Sequence, residues 1–99
     1  MKPDILVFGK HPEILAVVLR LIQGSGEYSA RGTTDEKELL IMAGNQPPDL
    51  LLLGGGVSKE EEEFLRSRFF TSFPQTRIFQ HFGGGSGLLF AEIKEALAN

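Results

Sequence analysis

A chain of 99 residues, 41% apolar and 23% charged, has the makeup of a globular protein with one core, and one domain is expected over residues 1–99. Its net charge of −3 without a basic stretch leaves no footprint for nucleic acid. The lack of cysteine excludes disulfides, thiolate nucleophiles and thiolate metal sites. The longest apolar stretch, Ile14 to Ile22, is interrupted by Arg20 and is too short for a bilayer, so a cytoplasmic protein without a membrane partner is expected.

The first predicted strand runs from Asp4 to Gly9 and is apolar at every central position, as a strand covered on both faces must be. Lys10-His11 makes a turn, and Pro12 suits the first position of a helix reaching about Gln23. Ile14, Leu15, Val18, Leu21 and Ile22 fall on one helical stripe, leaving Val17 and Leu19 as an apolar surplus. A short second strand, Tyr28 to Gly32, is half polar and reads as an edge. Asp35 with Glu38 resembles a capping box for a second helix buried through Leu39, Leu40 and Ala43 and stopped at Gly44-Asn45.

The third strand, Asp49 to Leu53, carries four consecutive leucines and reads as central. After Gly54-Gly55-Gly56, Ser58 and Glu61 form a second capping box. The helix they start is expected to reach about Ser72, burying Leu65, Phe69 and Phe73 with Phe64 beside them. The fourth strand is Arg77 to Phe82. The turn from Gly83 to Gly87 then leads into a last helix, Leu88 to Ala98, with Leu89, Phe90, Ile93 and Leu97 on its apolar face. Strands alternating with helices predict a three-layer α/β/α sandwich around a parallel sheet. Right-handed crossovers in the order 2-1-3-4 put the first and last helices on one face and the middle two on the other.

Pro48-Asp49-Leu50-Leu51-Leu52-Leu53 resembles the third strand of response-regulator receiver domains, and the flanking elements fall in similar order from Ile5 to Ala98. The resemblance implies a receiver-like, flavodoxin-like fold shortened by one βα unit, and a habit of working through protein partners. It also exposes departures. Gly54 stands where receivers carry the phosphoacceptor aspartate, and Gly9, Lys10 and His11 stand where an acidic pair would hold Mg²⁺. The expectation is a degenerate receiver: a non-catalytic signalling or interaction domain without cofactor, metal or catalytic residues.

Two sets of residues are singled out for binding. Ligands of open parallel sheets sit at the strand carboxyl ends near the switch in strand order. That rim gathers Lys10, His11, Gly54, Gly55, Gly56, Ser58, His81, Gly83, Gly84 and Ser86, an alternative site for phosphate or a nucleotide over the glycine turns. Neither triglycine matches a P-loop, and glycines equally serve tight strand-to-helix turns. The acidic run Glu60 to Glu63 reads as a solvated helix start. The apolar surplus Val17, Leu19, Ile78, Phe79 and Phe82 marks a candidate interface, with a protein partner or a second copy of the chain as its occupant.

Overall fold

The computed structural model describes residues 2–81 and 86–98, without the side chains of Ser86 and Gly87. In chain order the elements are β1 (Asp4–Phe8), α1 (Pro12–Gly24), β2 (Ser29–Thr33), α2 (Glu36–Asn45), β3 (Leu50–Leu53), α3 (Lys59–Ser72), β4 (Arg77–Gln80) and α4 (Ser86–Ala98). All three strand pairings are parallel and the order is β2-β1-β3-β4. This is the flavodoxin-like arrangement that the alternation of elements predicts, one βα unit short.

Strand side chains alternate between faces, and the two central strands have an apolar residue on each face at every position. Ile5, Val7, Leu50 and Leu52 face one way and pack with Ile22, Leu89 and Ile93 of α1 and α4. Leu6, Phe8, Leu51 and Leu53 face the other way, against Leu39, Ala43, Leu65 and Phe69 of α2 and α3. The four leucines of β3 are completely enclosed, each contributing about 1.5–3 kcal/mol by burial. Phe69 and Phe73 meet at a ring separation of 4.9 Å, closing the lower end of α3.

The helix starts follow their sequence signals with one difference. Ser58 and Glu61 form the reciprocal capping box of α3. At α2 only half of the expected box forms: the Asp35 side chain accepts from the Lys37 N–H, with no reciprocal bond from Glu38.

Three apolar assignments are corrected. On α1 the residues against the core are Leu15, Val18, Leu19 and Ile22, while Ile14, Val17 and Leu21 are exposed. Eight of the nine residues of Ile14–Ile22 are apolar, so periodicity there fits two neighbouring stripes, and packing chooses one. The choice follows from β2. Gly32 lacks a side chain, and Leu15 fills the space so closely that a Cβ on Gly32 would lie 3.0 Å from its methyl and 2.6 Å from the Val7 carbonyl oxygen. Leu19 is therefore inward-facing rather than surplus. Phe64 points outward, because Leu65 and Phe69 already occupy the buried side of α3.

The amino end of the sheet is tied by ions. Arg31 of β2 grips Asp4 of β1, with Nη2 2.7 Å from Oδ2 and Nε within 3.3 Å of both oxygens. The same guanidinium donates to the Met42 carbonyl at 3.2 Å and to the Gln46 carbonyl, so it also satisfies the last turn of α2. The Asp49 carboxylate accepts the Asp4 N–H at 2.7 Å. Among the described residues, no helix is long and apolar enough to cross a membrane.

Candidate functional site

The strand carboxyl ends bring together six of the residues expected there: Lys10, His11, Gly54, Gly55, Gly56 and Ser58. β1 and β3 are neighbours, and the loops leaving them are laced together. The Gly54 N–H donates to the Phe8 carbonyl at 2.7 Å, and the Lys10 N–H donates to the Gly55 carbonyl at 3.1 Å. Gly56 has φ +84°, and a Cβ there would lie 2.8 Å from Lys10 Cβ and 3.0 Å from His11 Nε2. This glycine is required by backbone conformation and by close approach. Gly54 is different: a Cβ would meet nothing nearer than the Phe8 carbonyl oxygen, at 3.5 Å. Position 54 therefore has room for a side chain that glycine does not supply.

The charges at this rim are already paired. Lys10 Nζ stands 2.5 Å from Glu61 Oε2 and 5.4 Å from the Phe8 ring centroid, so the ammonium is fixed between a carboxylate and an aromatic face. Glu61 Oε1 accepts the Ser58 N–H at 3.1 Å, while the Ser58 hydroxyl accepts the Glu61 N–H at 3.1 Å. The Lys10 hydrogen bond and the Ser58 amide hold the Glu61 carboxyl below the usual carboxylate range. Lys10 and Ser58 are thus engaged in a strand-to-helix clamp. His11, at the N-cap of α1, makes no side-chain cap bond and is exposed.

Little space lies behind the rim. The cavity between Gly9, His11, Leu15 and Gly54 holds about 10 Å³, at most one water. A hollow of about 370 Å³ opens outward at His11, Pro12, Glu13 and Ile14, where Glu13 brings a negative charge. Among the described residues, no three His, Asp or Glu side chains converge as metal ligands do. An Mg²⁺ ion does not fit this donor set: the β1 turn offers an ammonium and an imidazole, and Gly54 offers no side-chain oxygen.

His81 is committed elsewhere. Its N–H donates to Leu53 at 2.9 Å, and its ring Nδ1 lies 2.5 Å from Glu92 Oε1 of α4, with both side chains largely covered. The pair pins α4 to the end of β4. Gly83 and Gly84 lie outside the described residues, as does the side chain of Ser86, so the second glycine turn is not placed. Of the candidate interface residues, Val17 is exposed, Leu19 and Phe79 pack against the α1–α4 core, and Ile78 packs against the α2–α3 core. Phe82 lies outside the described residues.

Glu61 and Glu92 are the site residues that sequence reasoning did not connect. Glu61 carries a local signal, its three-residue spacing from Ser58, but nothing local links it to Lys10. Glu92 lies 11 residues from His81, across a turn whose geometry no spacing reveals.

No protein-family model and no curated protein sequence matches the chain. Solved structures do match. The signal receiver domain of an HD domain-containing protein from Pseudomonas fluorescens Pf-5 superposes with a TM-score of 0.83 at 15% identity, over 99% of this chain and 96% of that one. A response regulator from Thermotoga maritima gives 0.68 at 15% identity, covering 97% of this chain and 80% of that one. A protein assigned to pilus assembly in Burkholderia thailandensis E264 gives 0.64 at 18%, covering 98% and 81%. The chain has a receiver-like fold. Its nearly end-to-end match with the Pseudomonas domain shows that the shortened form is shared by another structure.

Proposed function

We propose that this chain is a receiver-like signalling domain that acts in the cytoplasm through protein contacts, a second copy of itself included, and takes up no phosphoryl group. It is not an enzyme on this reading. The observation that carries it is the clamp around Gly54, which the resemblance puts at the acceptor position: its N–H is bonded to Phe8, and the neighbouring Lys10 is paired with Glu61. In receivers the phosphoryl group is what biases the surface presented to partners, by new charge and new hydrogen bonds. Here a built-in Lys10–Glu61 pair joins the same two loops permanently, which supports a fixed binding surface in place of a switched one. Likeness to receivers of known structure supports the signalling role.

The test is incubation with a small acyl phosphate and Mg²⁺, followed by intact-mass analysis. An unchanged mass is expected, and an acid-stable, hydroxylamine-labile phosphoryl adduct would overturn the reading.

A further inference from the structure

The fold ends at β4, and that edge is where the chain is least finished. Arg77 and His81 donate their N–H groups inward to β3, to the Asp49 and Leu53 carbonyls at 3.1 and 2.9 Å. Backbone groups alternate along a strand, so the N–H and C=O of Ile78 and Gln80 point away from the sheet. In the sheet order β2-β1-β3-β4 no strand lies beyond β4 among the described residues. Beside this edge, Arg66, Phe70, Pro74, Thr76 and Ile78 line a cleft of about 260 Å³. Phe70 is 81% exposed, the most exposed large apolar residue of the core elements. An edge of this kind, flanked by an apolar side chain, is a template for another strand.

The charges on the opposite face of β4 say which strand. Arg77, Phe79 and His81 alternate onto the α4 side, and His81 holds Glu92 there. Arg77 is exposed and makes no side-chain ion pair or hydrogen bond among the described residues. One end of the strand therefore carries a free cation and the other end a carboxylate. We infer that two copies of this chain pair antiparallel through β4, about a two-fold axis at Phe79, so that each Arg77 meets the His81–Glu92 pair of the other copy.

The register follows from the backbone. Ile78 and Gln80 hold the outward groups, and an axis at Phe79 sets Ile78 opposite Gln80 of the second copy, and the reverse. Both pairs then exchange N–H and C=O bonds. Phe79 meets its own counterpart in the closer, non-hydrogen-bonded kind of pair, where aromatic side chains interact best. Arg77 falls opposite His81 of the second copy, with side chains about 5 Å apart at Cβ, within reach of Glu92. The interface is isologous, so each contact occurs twice and the assembly closes as a dimer. The product is an eight-stranded sheet, and the α3 helices of the two copies flank the axis on one face and cover Phe70.

This deepens the proposed function by naming the partner and the edge it uses. Sedimentation equilibrium of the full chain across a range of concentrations should show a monomer–dimer equilibrium. Ile78→Pro removes an outward N–H while leaving the bonds to β3 intact, and should yield a monomer. Arg77→Glu changes only an exposed side chain, should preserve the fold, and should weaken the dimer at least about tenfold at low salt, with less effect at high salt. A wild-type chain that is monomeric at every concentration, or a dimer indifferent to both variants, overturns the inference. The first result would leave the edge to a foreign strand and the second would move the contact to another face. Neither would touch the phosphodonor experiment, which reads the acceptor position alone.

Discussion

Lys10 and Glu61 are 51 positions apart in sequence, yet their side chains meet at 2.5 Å across the crevice where parallel-sheet proteins receive their ligands. The contact joins the turn after β1 to the first turn of α3. It turns a capping glutamate into the counter-ion of the lysine at the rim.

The titration of Glu61 should be visible in stability. Its carboxyl lies below the ordinary range in the folded chain, through Lys10 first and the Ser58 amide second. The ionised form therefore favours folding at any pH above the unfolded value, and that contribution is lost as acid titrates through the lower native value. Glu61→Gln retains the capping geometry and removes the charge. It should cost about 0.2–1 kcal/mol near neutrality, the range for a partly exposed pair. Urea unfolding at a series of pH values should show the gap between wild type and variant closing in acid; a gap that widens in acid would contradict the assignment.

Gly54 and Gly56 should respond oppositely to a methyl group. Gly56→Ala puts a Cβ 2.8 Å from Lys10 in a left-handed backbone and should destabilise by about 1–3 kcal/mol. Gly54→Ala meets only ordinary contacts and should be neutral or add up to about 1 kcal/mol through the unfolded chain. Thermal melts of the two variants decide this, and equal losses would mean that both glycines are required by the turn.

Arg31 should behave as a structural ion, with no part in binding. Its removal takes the ion partner from the nearly buried Asp4 carboxylate, which keeps the Gln46 amide at 3.4 Å, and takes one donor from each of the Met42 and Gln46 carbonyls. Arg31→Ala should cost about 1.5–3 kcal/mol, as hydrogen bonds to charged groups do. Lysine should restore only part of this, because it lacks the planar fork that reaches two elements at once. Denaturant midpoints test both variants, and full rescue by lysine would show that charge alone matters.

The fold was legible because its central strands announce themselves. β1 and β3 are apolar on both faces, through Val7 and Leu52 on one and Leu6 and Leu51 on the other, which permits few arrangements other than a covered parallel sheet. Capping at Ser58 and the break at Pro47-Pro48 placed the helices within a residue or two. Where all residues but Arg20 are apolar, from Ile14 to Ile22, the pattern lost its direction, and the small size of Gly32 across the interface decided which stripe turned inward. The rim was legible in its members but not in its chemistry. Lys10 and His81 read as candidate anion ligands because their partners, Glu61 and Glu92, are brought to them only by tertiary packing.

The proposed absence of phosphoryl uptake is tested most directly by mixing the purified chain with excess acyl phosphate and Mg²⁺ and weighing the intact protein. The account predicts a single species at the unmodified mass, unchanged by prolonged incubation. A second species heavier by one phosphoryl group, abolished by chelating the metal, would contradict it and would assign an acceptor carboxylate to the rim that Lys10 and Glu61 span.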